Sequence, residues 1–175
     1  MNTKILITGP PRSGKSTLIT RLIDYFSKKQ ITIYGFLTPE VRKGKHRIGF
    51  DIEDISTKER KKLARINQSN SDYRLGKYSV SMIGLQWIIS KMEDIRFTKE
   101  DLLIIDEIGK MELFSKKFQD FILYVFSSDL TIVATVGLKI KHPIKDHLLR
   151  MPDVNLFTLD HKNFQNIFQE IISLI

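Results

Sequence analysis

A three-layer α/β/α arrangement, its sheet mostly parallel with an antiparallel hairpin extension, is the fold class this sequence predicts. Three observations predict it. A short apolar run, Lys4 to Thr8, leads through the glycine-rich turn Gly9-Pro10-Pro11-Arg12-Ser13-Gly14-Lys15-Ser16 into an amphipathic stretch. A second apolar run, Leu102-Leu103-Ile104-Ile105-Asp106, ends in acid, as a central parallel strand buried on both faces does where its carboxyl end meets a crevice. Between the two, Pro39 to about Met82 carries alternating segments and turn residues, the pattern of a β-meander.

Taken in order, Lys4–Thr8 reads as a buried strand and the stretch after the glycine turn as a helix to about Lys28. Leu18, Leu22 and Tyr25, flanked by Ile19, Ile23 and Phe26, give that helix a broad apolar face. Thr32–Thr38 is the next strand, completing a β-α-β start. The meander contributes Arg47–Ile52 and Lys77–Ser81, with turn signals at Gly44 and at Asn70-Ser71-Asp72. Gly84–Ile95 has helical periodicity through Leu85, Ile88, Ile89 and Met92. The acid-terminated strand is followed by a helix (Ser115–Phe126), a strand (Thr131–Val136), a last strand (Val154–Leu159) and a closing helix (Phe164–Leu174). No linker, repeat or low-complexity tract divides the chain, so one domain over residues 1–175 is expected.

Composition narrows the function classes. The sequence has no cysteine, which removes disulfides, thiolate nucleophiles and cysteine-ligated zinc. Its four histidines, His46, His142, His147 and His161, lack a metal-binding spacing. No apolar run approaches the ~20 residues of a membrane span, and the opening MNTKILITGPP is too short in apolar residues for a signal peptide. A cytoplasmic location, away from membranes, is expected. The net charge of +8 raises the possibility of nucleic acid as a partner, with basic clusters at Arg42–Arg47 and Lys58–Lys62. Neither cluster matches a nucleic-acid-binding motif, and a solvated basic surface that attracts nucleotides is favoured instead.

The turn satisfies GxxxxGK(S/T), and its placement between a strand and an amphipathic helix makes it a phosphate loop. Gly9 and Gly14 let the backbone bend so that successive N–H groups converge on phosphate, reinforced by the positive end of the helix dipole. The nucleotide-binding stretch is Gly9, Pro10, Pro11, Arg12, Ser13, Gly14, Lys15, Ser16 and Thr17. Lys15 is expected to bridge β- and γ-phosphate oxygens, and Ser16 to give a hydroxyl to Mg²⁺. Asp106 suits the second metal-holding position, acting on Mg²⁺ through its water shell. Glu107 is placed to orient and deprotonate a water attacking the γ-phosphate; the alternative is a strand-end carboxylate in an ion pair. A kinase must keep water from the phosphate, whereas Asp-Glu beside it recruits water, so hydrolysis is favoured.

Three segments carry a resemblance: the phosphate loop, TPEVRKGKHRIGFDI (Thr38–Ile52) and LLIIDEIGKMELFS (Leu102–Ser115). In order, spacing and overall length the chain resembles the small thermophile-type, cancer-related nucleoside-triphosphatase family. The resemblance implies a P-loop NTPase fold of the additional-strand, catalytic-glutamate type. It further implies Mg²⁺-dependent hydrolysis of ATP, GTP and other nucleoside triphosphates to diphosphate and phosphate, with broad base preference. In that family the phosphate loop and the DEIG strand bind nucleotide, which maps here onto Gly9–Ser16 and Leu102–Gly109 and adds Ile108 and Gly109 to Asp106 and Glu107 as binding residues. Two departures stand out. Members usually have glycine where this loop has Arg12, which either points over the phosphates or leans into solvent. Members also follow a late Asn with Arg, whereas Asn163 here precedes Phe164.

Other positions stay open. Arg42 and Arg47 either supply charge to the γ-phosphate or lie on a solvated hairpin, the second being favoured. Glu112 either shares water activation or forms a structural ion pair, and Lys110 beside it follows the acid strand. Asp51 and Glu53 read as surface carboxylates, and Tyr78 as a base-stacking or core aromatic. The absence of Asn-Lys-x-Asp points to a shallow, unselective base site. The expected partner is therefore a nucleoside triphosphate (ATP, GTP, CTP or UTP), bound by a monomer with Mg as cofactor. Two rival readings remain: a nucleotide or small-metabolite kinase with Arg42–Arg47 as a lid, and a nucleic-acid-associated ATPase.

Overall fold

Strand β1 (Lys4–Thr8) is buried along its length, with Ile5 and Ile7 facing one side of the sheet and Leu6 the other. The computed structural model describes residues 3–66 and 73–175, so the expected turn at Asn70–Asp72 lies outside the described residues. Helix α1 (Lys15–Lys28) buries Leu18, Ile19, Leu22 and Phe26, the stripe its periodicity predicts. Strand β2 (Ile33–Leu37) then leads into the meander of β3 (Glu40–Lys43), β4 (His46–Asp54), β5 (Arg60–Ile66), β6 (Arg74–Leu75) and β7 (Tyr78–Val80). Helix α2 (Met82–Glu93), strand β8 (Leu102–Ile108), a 3₁₀ turn at Glu112–Phe114 and helix α3 (Lys116–Phe126) follow. The chain ends with β9 (Thr131–Val136), α4 (Pro143–Arg150), β10 (Val154–Thr158) and α5 (Phe164–Leu174).

The described strands form one ten-stranded sheet in the order β10-β1-β9-β8-β2-β4-β5-β7-β6, with β3 paired to β4. From β10 to β2 every pairing is parallel; from β2 through β4, β5, β7 and β6 every pairing is antiparallel. Helices α1 and α5 pack over Ile5, Ile7, Leu102, Ile104 and Val133 on one face. Helices α2, α3 and α4 cover Leu6, Leu103, Ile105, Ile132 and Ala134 on the other, completing three layers. Strand β9 lies between β1 and β8, so the strand carrying the phosphate loop and the strand carrying the acids are separated by one strand. This is the additional-strand order the resemblance implies. It leaves the carboxyl ends of β1, β9 and β8 side by side, where parallel sheets open a crevice.

The structure departs from expectation in five respects. Strand β8 continues to Ile108, so both acids lie within the strand. Helix α2 begins at Met82 and ends at Glu93, ahead of the expected bounds. Helix α4 was not apparent in the sequence because it is eight residues long and buries only Ile144 and Leu148. Its start is fixed locally: the His142 ring accepts the Ile144 N–H at 3.2 Å, and Pro143 takes the first turn, where its missing N–H costs nothing. Strand β5 reads as a basic cluster in the sequence, yet its charges meet those of β4. Asp51 and Glu53, expected at the surface, are paired instead. Arg60 donates to Glu53 at 2.5 Å, with the Glu53 side chain 9 % exposed, and Arg65 pairs with a largely covered Asp51. An antiparallel register that sets Glu53 opposite Arg60 draws these carboxylates inward.

Candidate active site

The loop between β1 and α1 is shaped by its backbone before any side chain acts. Ser13 N–H donates to the Pro10 carbonyl at 3.1 Å, and Gly14 takes a left-handed φ of 98° that turns the chain into α1. Arg12 also has a left-handed φ, 65°, the conformation in which glycine is the unstrained residue. The arginine thus keeps the backbone shape that a glycine there would take, and its side chain is exposed. Lys15 folds back over the loop, its Nζ donating to the carbonyls of Gly9 at 3.0 Å and Pro10 at 3.3 Å. The Ser13 and Thr8 hydroxyls are buried and have no hydrogen-bond partner among the described residues. Buried polar atoms are seldom left so, and a phosphate-binding loop is a place where a partner is expected to arrive.

Facing the loop, β8 presents Asp106 and Glu107, joined by a cis peptide bond. Asp106 is 6 % exposed, and its Oδ1 accepts the Thr135 hydroxyl of β9 at 2.5 Å. Burial pushes the Asp106 carboxyl upward, while Thr135, the Ser16 hydroxyl and the Lys15 charge oppose that rise. Glu107 is half-buried; burial and the Asp106 charge push its carboxyl upward, and Lys15 opposes them. Lys15 therefore acts on both carboxyl groups of β8 across the width of β9, and Ser16 on Asp106. Ile108 is fully buried in the core, and Gly109 starts the turn beyond the strand. Thr17 sits exposed in the first turn of α1.

Of the remaining candidates, Arg42 and Arg47 lie on the β3–β4 hairpin and share Glu40 as partner, each at 2.6 Å. Arg47 also donates to the Tyr78 hydroxyl at 3.0 Å, and Tyr78 is a core residue packed edge-on to Phe50. Lys110 is exposed. Glu112 is 4 % exposed and forms no ion pair with any described residue, so the structural ion pair weighed for it is absent among them. Phe164 packs its ring against Gly14, 3.5 Å from where a Cβ would stand, and beneath the Arg21 guanidinium at 5.4 Å. Asn163 closes the loop after β10: its Oδ1 accepts the Asp160 N–H at 2.8 Å and its Nδ2 donates to the Thr158 carbonyl at 2.9 Å.

Sequence reasoning missed Thr135. Its signal is a hydroxyl near the end of an otherwise apolar strand, and parallel pairing of Ile105 with Ala134 sets the next residue of β9 beside Asp106. The donors suit a hard cation, with the Asp106 carboxylate and the Ser16 hydroxyl near each other. Among the described residues no group of three or more His, Asp or Glu side chains is arranged to hold a metal. Among the described residues, too, no helix is long and apolar enough to cross a membrane.

Residues 4–172 match the model of a family described as NTPase. The chain is 40% identical over 172 residues to the nucleoside-triphosphatase THEP1 of Thermotoga maritima, covering 98% of this chain and 95% of that one. It is 36% identical to the THEP1 of Methanothermobacter thermautotrophicus, over 98% and 95% of the two chains. The crystal structure of THEP1 from the hyperthermophile Aquifex aeolicus superimposes with a TM-score of 0.84 at 32% identity, covering 98% of each chain. The solution structure of a human cancer-related nucleoside triphosphatase does so with the same score at 27% identity, over 98% and 96%.

Proposed function

The chain belongs to the NTPase family, and from that premise we propose that it is a Mg²⁺-dependent nucleoside-triphosphatase, a single-domain enzyme that hydrolyses ATP, GTP and other nucleoside triphosphates to diphosphate and phosphate. The observation that carries this reading is the placement of Lys15 beside both carboxyl groups of β8 and of Ser16 beside Asp106, with Asp106 already fixed by Thr135. The N–H groups of the loop and the start of α1 cradle the β-phosphate. Lys15 leaves the Gly9 and Pro10 carbonyls to bind β- and γ-phosphate oxygens, exchanging neutral acceptors for charged ones. Ser16 and Asp106 would hold a bound Mg²⁺, which would supply positive charge against the phosphates. Glu107 accepts a proton from water as the water oxygen bonds to the γ-phosphorus. The bond from that phosphorus to the bridging oxygen breaks, and diphosphate leaves. Positioning and electrostatics supply most of the acceleration, since phosphoryl transfer asks little covalent chemistry of the protein.

Broad base acceptance is supported by the lack of an Asn-Lys-x-Asp motif and by the loop after β10, whose Asn163 and Asp160 side chains are spent on backbone hydrogen bonds. Phosphate release with ATP, GTP, CTP and UTP, with Mg²⁺ or with chelator, tests the reading. Turnover is expected with all four and is expected to vanish with chelator, with Lys15→Ala and with Glu107→Gln. Undiminished hydrolysis by Glu107→Gln removes the water-activating role. Transfer of γ-phosphate to an added acceptor faster than to water overturns hydrolysis itself.

A further inference from the structure

The phosphate loop is walled by the segment that follows β10. The Leu159 N–H donates to the Thr8 carbonyl at 2.7 Å, and the Leu159 carbonyl oxygen stands 2.4 Å from where a Cβ on Gly9 would be. At the far end of the loop, Cδ2 and Cε2 of Phe164 each lie 3.5 Å from where a Cβ on Gly14 would be. The chain between β10 and α5 thus meets the loop at its first glycine and again at its last. Between these contacts the turn is fixed by its own side chains. The Asp160 carboxylate accepts the N–H groups of Lys162 and Asn163, and the Asn163 amide bonds the backbone at Thr158 and Asp160.

Strand order decides which part of a nucleotide meets this wall. The acids of β8 lie two strands from β1 on one side, and β10 pairs with β1 on the other. A triphosphate held in the loop with its γ-phosphate toward Asp106 and Glu107 directs its nucleoside away from β8, toward the turn after β10. There Phe164 offers an aromatic surface. Its ring packs against the core under α1 and α5 and is only half-buried. It is also braced: the Arg21 guanidinium lies 5.4 Å from its centroid and 4.6 Å from that of Phe168, and donates to Gln165 at 3.3 Å. A ring already braced gives up little freedom when a ligand packs on it.

We infer that Phe164 is a nucleotide-binding residue on which the base of the bound nucleoside triphosphate stacks. The inference rests on the proposed function and supplies a cause for its broad base acceptance. Every base has a π-face, so a stack tolerates each of them, whereas reading one base takes polar groups aimed at its edge. Asp160 and Asn163 are already spent on the turn's own backbone.

The test measures, by calorimetric titration with Mg²⁺, the affinity for the β,γ-imido analogues of ATP and CTP and for inorganic tripolyphosphate, which has no base. Phe164→Ala is expected to weaken both analogues by about 10- to 100-fold, the loss of one base–aromatic stack, and to leave tripolyphosphate within about twofold. Phe164→Leu keeps an apolar side chain against Gly14 without the π-face and is expected to weaken both analogues about fivefold or more. Phe164→Tyr keeps the ring and is expected to stay within about threefold of the parent. Parent-like analogue affinity in the alanine or leucine variant overturns the inference. An equal loss for tripolyphosphate overturns it too, because the ring would then be shaping the phosphate loop and not meeting the base. A loss for one analogue alone overturns the link to base acceptance. If the alanine variant does not fold, the leucine variant carries the same comparison. Since each of these readouts is a binding constant, a parent protein that binds the analogues but does not hydrolyse ATP faults the proposed function instead, in a different assay.

Discussion

Replacing Glu112 by glutamine should make the nucleotide-free protein more stable, increasingly so as pH rises. The folded chain holds the Glu112 proton up to about 8, whereas the ordinary value, 4.5, applies when it is unfolded. Below 4.5 both states are protonated and the residue is neutral toward folding. Above it the unfolded chain ionises and the folded chain does not, so rising pH favours unfolding until the folded value is passed. At about 1.4 kcal/mol for each pH unit, this costs the fold roughly 3 kcal/mol at pH 7 and less than about 1 kcal/mol at pH 5. Glutamine fills nearly the same space and never ionises, so it escapes the penalty at both. Urea unfolding followed by the fluorescence of Trp87, the one tryptophan of the chain, measures the difference. The gap between variant and parent should widen by about 2 kcal/mol between those two pH values. A gap that does not change with pH would mean Glu112 is already ionised in the folded chain.

A carboxylate of opposite behaviour lies across the sheet. Burial raises Asp54, but hydrogen bonds from Lys91, Ser56 and Thr57 outweigh it and hold the group at about 2, below its ordinary 3.8. Its contribution, about 2 kcal/mol, is present above 3.8 and lost as pH falls through the folded value, so Asp54→Asn should flatten the acid limb of stability measured by urea unfolding. Thr135→Val removes the donor to buried Asp106 at nearly constant volume, and should cost about 1–3 kcal/mol of stability and raise the Mg²⁺ concentration needed for half-maximal turnover. Parent-like unfolding and parent-like Mg²⁺ titration together would mean that the Thr135 bond contributes nothing.

What could be read from the chain in advance divides along a physical line. Contiguous signals were legible: the stripe of Leu18, Leu22 and Phe26, the apolar run into Asp106, the bounds of Thr131–Val136 and of Phe164–Leu174. Each is set by the period of one element, and the phosphate loop joins them because its backbone geometry is local to a few residues. Strand β5 was obscured because Arg60, Lys61 and Lys62 look like solvent-facing charge until the register opposite Glu53, Ile52 and Asp51 is known. Asp51 and Glu53 were misread for the same reason, since a carboxylate's burial depends on the arginine that meets it from another strand.

Thr135 and Glu112 extend the argument to the site. Neither residue type is distinctive, and neither falls in a motif of phosphate chemistry. Thr135 matters because β9 lies between β1 and β8, a matter of strand order that emerges only when the sheet closes. Glu112, weighed from the sequence for water activation or an ion pair, has a burial that could not be read there, because a 3₁₀ turn, which has no amphipathic period to betray it, returns the carboxyl to a glycine three residues back. Motifs thus reveal the groups proposed to touch the nucleotide, which must be placed by short-range geometry. The groups that hold those in place come from wherever the fold delivers them, and a physical account of the site has to look for them among buried polar side chains whose partners are themselves reactive.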